Sequence, residues 1–597
     1  MYNELSDGFK IYTRSFKDIR MNLLRGIAVL TFTVLFAASG CMTPEEWDRF
    51  WSKYKGGQPS AKPRSVSASP AIRDTIAPLV TLQGMRVNRV RGFGLVVDLI
   101  DTGGSDGPEI VKNFLMKEIR RKQEIGQPGP APLEMVNSRD TAMVEIVGDI
   151  PAGAHKGERF DVRLAALGSE TTSLVGGRLF LGELKVYADT PSGVLGGKTL
   201  ATAGGPVFVS PFNKHGEPTD TVNLKKGGLV LGGGIVQEPR EIRLVLNDPS
   251  FSIARRMEQQ INSRYATDKK VALAARASHL TLTIPPEYRD RKWYFLERVL
   301  HTPMNPYPQF LNQRTRDLIQ EFDEPDVDYS ALGLALEAIG KNVLPRLKKL
   351  YTHESTAISY FAARTGLRLE DRDGLDIVAE QAGDPKSPFR REAIAELGWA
   401  VKMYAAGEHL RKILDDPDDE IRIAAYKALR RRNHPVIETK VLDKDNAILD
   451  IIDSRGSYLI YVQRARTPRI ALFGKTMRAK PPAMFPADRI DNRRLITQIS
   501  AQADDNNLTL IYWNKRNRKM SPNLEAPMNV AKLIAYLGDS PNKTEDGTLT
   551  GFAVPYSEIV DILSAFCETR TIPAKFVVEP LEDARDGTSN ERDETEF

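Results

Sequence analysis

A repeated pattern between residues 357 and 429 constrains the fold of this chain more than any other feature. Segment 385–398 reads PKSPFRREAIAELG and aligns with segment 417–429, PDDEIRIAAYKAL, at an offset of 32 residues. The same offset upstream reaches segment 357–366, AISYFAARTG. A fixed period of this length with paired helices predicts helical hairpins stacked on one another. The alternative is an ordinary helical bundle whose segments are similar by chance.

The sequence before the repeats has a different period. Between about residues 72 and 289, strand-like apolar runs alternate with Gly, Pro and Asp, which is typical of a sheet-rich α+β region. The strands are predicted at 93–100, 141–147, 159–164, 178–186 and 229–235, and the helices at 108–124 and 252–265.

The sequence after the repeats returns to mixed structure. Strands are predicted at 459–462 and 508–513, and helices near 529–537 and 556–569. The last stretch, 581–597, is acidic and has few apolar residues, so we expect it to be disordered.

The bulk composition excludes some classes of protein. A chain of 597 residues exceeds the roughly 250–300 residues at which a single core stops growing. The formal net charge of +5 is small for this length and gives no nucleic-acid signature. Cys41 and Cys567 are the two cysteines, and Cys567 lies in an apolar helical stretch. We therefore expect several domains held together by packing.

The first forty residues resemble the leader of a bacterial lipoprotein. An apolar run from Gly26 to Ala38 follows Arg25, and it is shorter than the roughly 20 residues that a membrane-spanning helix needs. It ends in small residues directly before Cys41, whose thiol can take a thioether-linked diacylglycerol. Met42, rather than aspartate, mildly favours the outer membrane, and Met21 is an alternative start. The alternative reading is an uncleaved anchor helix or a buried apolar segment.

Motifs that carry chemistry are missing from the sequence. The seven histidines are scattered, and HExxH and CxxC patterns do not occur. The glycine-rich turns lack the lysine of a phosphate-binding loop, so close backbone approach explains them better. The run 430–432, three arginines at a helix end, is interpreted as helix capping, with an anionic partner as the alternative. We predict no enzyme activity, cofactor or metal.

Segments between residues 72 and 290 resemble the flagellar P-ring protein family in a shared order. Segment 76–103 resembles the opening motif of that family, and segment 141–162 resembles its next stretch. Segment 167–181 resembles its SLGDA region, and segment 244–262 its NPDF region. Departures include Asp98, where the family usually has glycine. The residues that carry the resemblance, as structural positions, are Gly84, Asn88, Gly92, Gly94, Gly103, Gly168, Gly176, Gly177, Asn247, Pro249 and Phe251.

The resemblance implies a non-enzymatic function. Subunits of that family form a periplasmic ring around the flagellar rod, associated with peptidoglycan. We expect a homo-oligomeric ring whose partners are the rod or other envelope components, with peptidoglycan as a further partner and the membrane reached through the lipid. The alternative is a non-flagellar envelope scaffold that binds peptidoglycan or another complex.

The repeats resemble a short form of the HEAT type. The sequence thus predicts a multidomain α+β chain, a periplasmic protein whose lipid anchors it to the outer membrane. The predicted parts are a leader and signal peptide (1–40), a lipid anchor and flexible tether (41–71), a P-ring-like domain (72–300), HEAT-like helical repeats (330–435), a C-terminal mixed α/β domain (436–580) and a disordered tail (581–597).

Overall fold

The computed structural model describes residues 70–580, except 125–130, 191–192, 214–215, 217–224, 444, 446, 486–494, 515–518 and 544–548. The predicted leader, the lipid site at Cys41 and the tail at 581–597 lie outside the described residues. The described chain comprises a sheet-rich region, an array of helices and a C-terminal α/β region.

The sheet-rich region contains ten strands. They are β1 Val80–Gln83, β2 Asn88–Val97, β3 Ala142–Ile150, β4 Arg159–Ala166, β5 Arg178–Thr190, β6 Gly193–Pro206, β7 Gly227–Val236, β8 Ile242–Leu246, β9 Ala272–Arg276 and β10 His279–Leu282. Six of them form a closed barrel in the order β2-β3-β4-β7-β6-β5. Its core is built from side chains that alternate along the strands, such as Val144, Ile146, Val162 and Leu164.

Two helices cover one face of the barrel. They are α1 Glu109–Glu124 and α2 Pro132–Asn137. Helix α1 buries Val111, Leu115 and Ile119, which lie four residues apart and therefore share one face of the helix. Strand β3 is consequently buried on both sides, and its sequence is apolar almost throughout instead of alternating.

The remaining four strands form a separate antiparallel sheet in the order β1-β8-β10-β9. Helices α3 Phe251–Tyr265 and α4 Lys292–Leu300 share its hydrophobic core. The Ser250 hydroxyl accepts a hydrogen bond from the Ile253 amide at 3.4 Å and so caps α3. Met257 and Ile261 of α3 are fully buried in this core, as their spacing predicts.

The helical array follows directly. Its helices are α5 Pro308–Glu321, α6 Tyr329–Ile339, the single turn α7 Leu344–Leu347, α8 Thr356–Arg368, α9 Arg372–Gly383, α10 Arg390–Trp399, α11 Tyr404–Ile413 and α12 Asp419–Arg431. Successive helices pack as neighbours around one continuous apolar core. The stacked rings of Tyr360 and Phe389, 4.4 Å between centroids, join α8 to the start of α10.

The C-terminal region combines short strands with two helices. The strands are β11 Ile437–Val441, β12 Ile448–Ile452, β13 Leu459–Gln463, β14 Arg469–Phe473, β15 Ala483–Met484, β16 Ile496–Ala501, β17 Asn507–Asn514, β18 Lys519–Met520, β19 Leu524–Pro527, β20 Asn542–Lys543, β21 Leu549–Thr550 and β22 Lys575–Val578. Helices α13 Val530–Gly538 and α14 Tyr556–Glu568 pack against them. The main sheet has the order β11-β12-β14-β13-β22, with two parallel and two antiparallel pairings.

Three features differ from the sequence prediction. The strand predicted to reach Ile100 ends at Val97, because Asp98 and Ile100 have φ angles of 65° and 47°. Helices α4 and α5 occupy residues 292–321, where no helix was predicted. The described chain already packs at Ala71, which is fully buried against the helical array.

Candidate assembly region

Several of the motif glycines meet at one end of the barrel. A Cβ atom on Gly103 would collide with the carbonyl oxygen of Thr141, and one on Gly177 would lie 2.5 Å from a Val96 methyl group. A Cβ atom on Gly168 would collide with the Asp106 carboxylate. Gly176 lies beside them with a φ of 76°. The chain segments around Gly103, Gly168 and Gly177 pack so closely that a side chain larger than hydrogen is excluded at these three positions.

The Asp106 carboxylate fixes one of these segments. Its Oδ2 atom accepts hydrogen bonds from the Ser169 amide and hydroxyl, at 2.6 and 2.5 Å, and from the Glu170 amide at 3.0 Å. Burial alone would raise the pKa of Asp106, but these hydrogen bonds outweigh it and the pKa lies below its ordinary value.

Strand β2 carries three more of the motif residues. A Cβ atom on Gly92 would collide with the Glu183 carbonyl oxygen of β5, and one on Gly94 would lie 2.8 Å from Ile146. The β2–β5 register is irregular between Arg91 and Leu95, around these two glycines. Asn88 begins the strand and pairs with Ile150.

The other motif residues lie in and beside the four-stranded sheet, away from the glycine cluster. Gly84 has a φ of 92°, and a Cβ atom there would collide with the Glu241 carbonyl oxygen. The Asn247 side chain donates to the Pro78 carbonyl oxygen at 3.0 Å, which ties the end of β8 to the start of β1. Pro249 precedes α3, and Phe251 at the start of α3 is 62% exposed.

A buried polar network joins the sheet-rich region to the helical array. The Tyr294 hydroxyl of α4 donates to Glu337 of α6 at 2.5 Å. Arg368 of α8 donates to the second oxygen of the same carboxylate at 3.1 Å. The Glu337 side chain is completely buried, so its negative charge depends on these partners. Burial, and then the nearby Glu337 charge, raise the pKa of Tyr294 and keep its hydroxyl protonated.

The network continues from Arg368 into α10. Arg368 also forms a bidentate pair with Glu396, and Arg364 pairs with Glu392 one turn earlier. Burial opposes the charged form of Glu396, but Arg368, with smaller contributions from Arg364 and Arg291, lowers its pKa to about 2. Burial raises the pKa of Glu392, because Arg364 compensates it only in part.

A second set of contacts joins the barrel to the C-terminal region. The Asp161 carboxylate of β4 accepts hydrogen bonds from the Gly232 amide at 2.6 Å and the Arg466 amide at 2.8 Å. Burial raises the pKa of Asp161 despite these donors. Arg464, fully buried, donates to the Asn213 and Glu579 carbonyl oxygens at 2.7 and 2.8 Å.

The arginine run at 430–432 is occupied by contacts within the chain. Arg432 donates to the Leu397 carbonyl oxygen at 3.0 Å and to the Met403 carbonyl oxygen at 2.6 Å. Arg430 donates to Gln463 at 2.9 Å, and Arg431 lies over the Trp399 ring at 3.7 Å. The Arg432 side chain therefore binds carbonyls at and just after the end of α10, the equivalent helix of the preceding repeat, and not the carbonyls of its own helix.

Residues with redox or metal-binding potential are not grouped in the part of the chain that the structure describes. No three His, Cys, Asp or Glu side chains are placed there as metal ligands. Cys567 is partly buried in α14, and burial raises the pKa of its thiol to about 12. Among the described residues no helix has the length and apolar character to cross a bilayer.

Comparison with known proteins bears on the sheet-rich region. Residues 75–319 match the flagellar P-ring protein family. The match begins before β1 and ends inside α5, so it covers the barrel, the four-stranded sheet and helix α4. The predicted P-ring resemblance is confirmed for these residues.

Individual P-ring proteins are similar to the chain at low identity. The flagellar P-ring protein of Geobacter sulfurreducens is 25% identical over 329 residues, which cover 52% of this chain and 84% of that protein. That of Syntrophotalea carbinolica is 30% identical over 240 residues, covering 39% and 61%. That of Legionella pneumophila strain Lens is 28% identical over 265 residues, covering 42% and 68%. Much of the chain therefore lies outside the P-ring similarity.

The polar network between the P-ring-like region and the helical array was not predicted from the sequence. The sequence does carry a signal for part of it. Arg364 and Arg368 are four residues apart, as are Glu392 and Glu396, and the two pairs are separated by 28 residues. Charges at apolar-stripe positions of two successive repeats indicate ion pairs between stacked helices. Tyr294 and Glu337 carry no comparable signal.

Proposed function

We propose that this chain is a structural, non-enzymatic subunit that forms or supports a periplasmic ring around the flagellar rod. The observation that carries the proposal is the match of residues 75–319 to the flagellar P-ring protein family, with relatives of that name in several bacteria. The names of these relatives favour the flagellar role over the non-flagellar scaffold.

Self-association into a ring is the part of the proposal that imaging tests. Negative-stain images of the detergent-solubilised chain, beside isolated basal bodies, should show rings of uniform diameter. Dispersed monomers under conditions that preserve basal bodies would contradict a ring-forming role. Deletion of the gene should abolish motility, whereas a non-flagellar scaffold would leave swimming unaffected and alter the cell wall.

The helical array is proposed to be a short stack of HEAT-like repeats that presents a surface to a second protein. The same hydrogen bond occurs in two successive repeats, and this supports the proposal. The Arg390 Nε atom donates to the Ala382 carbonyl oxygen at 3.3 Å, and the Arg422 Nε atom donates to the Leu414 carbonyl oxygen at 3.0 Å. Donors and acceptors are both offset by the 32 residues of the sequence repeat.

Attachment through lipid on Cys41 is also a proposal, since that residue lies outside the described residues. The support is the apolar run that ends directly before Cys41. Mass spectrometry of the mature chain should find a diacylglyceryl N-terminal cysteine, and Cys41→Ser should release the chain from the outer-membrane fraction. Retention of the Cys41→Ser chain in that fraction would contradict the lipid anchor.

A further inference from the structure

The guanidinium of Arg291 lies where the P-ring-like region meets the helical array. Its central carbon is 4.6 Å from the centroid of the Tyr294 ring in α4 and 4.2 Å from that of the Trp399 ring in α10. Arg431 of α12 also lies over the Trp399 ring, at 3.7 Å. We call this group the Arg291–Trp399–Arg431 stack. Aromatic faces hold a planar guanidinium by cation–π attraction and restrict its orientation.

Arg291 differs from its arginine neighbours in having no counter-ion. Arg364 and Arg368 each donate to a glutamate, and Arg298 lies 3.8 Å from Glu337. The Arg291 side chain makes no hydrogen bond or ion pair with another described residue, and its Nε atom is buried without a partner. The residue is only partly buried, and its two terminal nitrogens are not among the buried unpaired atoms. Those nitrogens therefore remain open to solvent.

The charges around this group are unbalanced. Among the described side chains of the junction, four arginines at 291, 298, 364 and 368 lie with three glutamates at 337, 392 and 396. Glu396 is the carboxylate whose charge acts on Arg291, but it is already hydrogen-bonded to Arg368. A partly desolvated excess of positive charge favours an anion at Arg291, whose guanidinium has no hydrogen-bond acceptor among the described residues.

We propose that Arg291 binds an oxyanion, a carboxylate or a phosphate, borne by a component of the cell envelope. The planar guanidinium offers parallel N–H donors that match two oxygens of such a group, and the Tyr294 and Trp399 rings hold it in position before the anion arrives. The ligand would contact the chain at the seam between the P-ring-like region and the array. This site is independent of ring formation, so either proposal can fail without the other.

Fluorescence titration of the purified full chain tests the site. Three probes supply the oxyanion from different sources: inorganic phosphate, N-acetylmuramic acid for a cell-wall carboxylate, and dihexanoylphosphatidylglycerol below its micelle concentration for a lipid headgroup. N-acetylglucosamine and dihexanoylglycerol lack the oxyanion and are the uncharged counterparts of the second and third probes. Since the chain has five tryptophans, Trp399→Phe identifies the signal that comes from the stack.

The expected result is a saturable fluorescence change with at least one anionic probe and none with its counterpart. Arg291→Met should weaken binding about tenfold or more, because charge-assisted hydrogen bonds are lost. Arg291→Lys should retain part of the affinity and shows that the fold is intact. Arg430→Met is the matched control, since Arg430 lies over Tyr426 but is bonded to Gln463. Absence of a saturable response to all three probes, or equal affinity in wild type and Arg291→Met, would overturn the proposal.

Discussion

The barrel and the helical array are stabilised by different interactions. In the barrel, strands approach so closely that glycine is required at positions such as Gly92 and Gly103, and the core beneath them is apolar. In the array, arginines and glutamates bridge successive helices inside the protein, as in the Arg368–Glu396 pair. We infer that the barrel is sensitive chiefly to added volume, and the array to lost charge and to pH.

The largest expected effect is the loss of one buried charge in the array. Glu396→Gln leaves Arg368 and Arg364 without a full counter-charge, so we expect the free energy of unfolding to fall by about 4 kcal/mol. Urea unfolding followed by far-UV circular dichroism measures it. The control is Glu420→Gln, which removes the exposed partner of Arg391 and should cost about 0–1 kcal/mol. Equal losses in the two variants would mean that burial of the Arg368–Glu396 pair contributes nothing.

The next largest loss of stability should come from adding side-chain volume at a closely packed glycine of the barrel. A methyl group at Gly92 would collide with the Glu183 backbone, which cannot move without disturbing β5. We expect Gly92→Ala to reduce stability by about 3 kcal/mol. Gly383→Ala, where a Cβ atom meets nothing within 4 Å, is the control and should be close to neutral. Thermal unfolding of both variants decides whether the close approach matters.

The contrast between the two regions also sets how much the sequence could predict. Strands and helices in the sheet-rich region follow from local apolar patterns, so β3, β4 and α3 lie close to their predicted bounds. The 32-residue period predicted helices in three repeat segments, and these segments contain α8, α10 and α12. The junction could not be derived, because Tyr294 and Glu337 meet only after two distant segments pack, and no local pattern encodes that contact. The glycine-rich turns were predicted as close backbone approaches, but their partners were not.

Acid should destabilise the helical array before it destabilises the barrel. The Glu396 pKa of about 2 lies below its unfolded value, so its contribution is present above about pH 4.5 and is lost as the pH falls toward 2. The raised pKa of Glu392 acts in the opposite direction and offsets part of this. Hydrogen exchange between pH 5 and pH 2.5 should therefore show the amides of α8 and α10 losing protection before those of the barrel strands.

A weakened acid response in Glu396→Gln would confirm that this carboxylate is responsible. An unchanged response would place the acid sensitivity elsewhere in the chain. If the barrel amides of the wild-type protein lose protection first, the array is not the more acid-sensitive of the two regions, and the comparison is wrong.

The smallest expected effect concerns the contact between the barrel and the C-terminal region. The pH dependence of stability there is opposite in sign to that of Glu396. Burial raises the pKa of Asp161 above its unfolded value, so the folded state favours the protonated carboxyl, and this contribution is lost as the pH rises through the folded pKa. Asp161→Asn keeps an oxygen that can accept from the Gly232 and Arg466 amides while removing the buried charge. We expect a change within about 1 kcal/mol at pH 7 and little dependence on pH between 4 and 7. A loss of several kcal/mol would show that the charge itself, rather than its hydrogen bonds, holds the C-terminal region on the barrel.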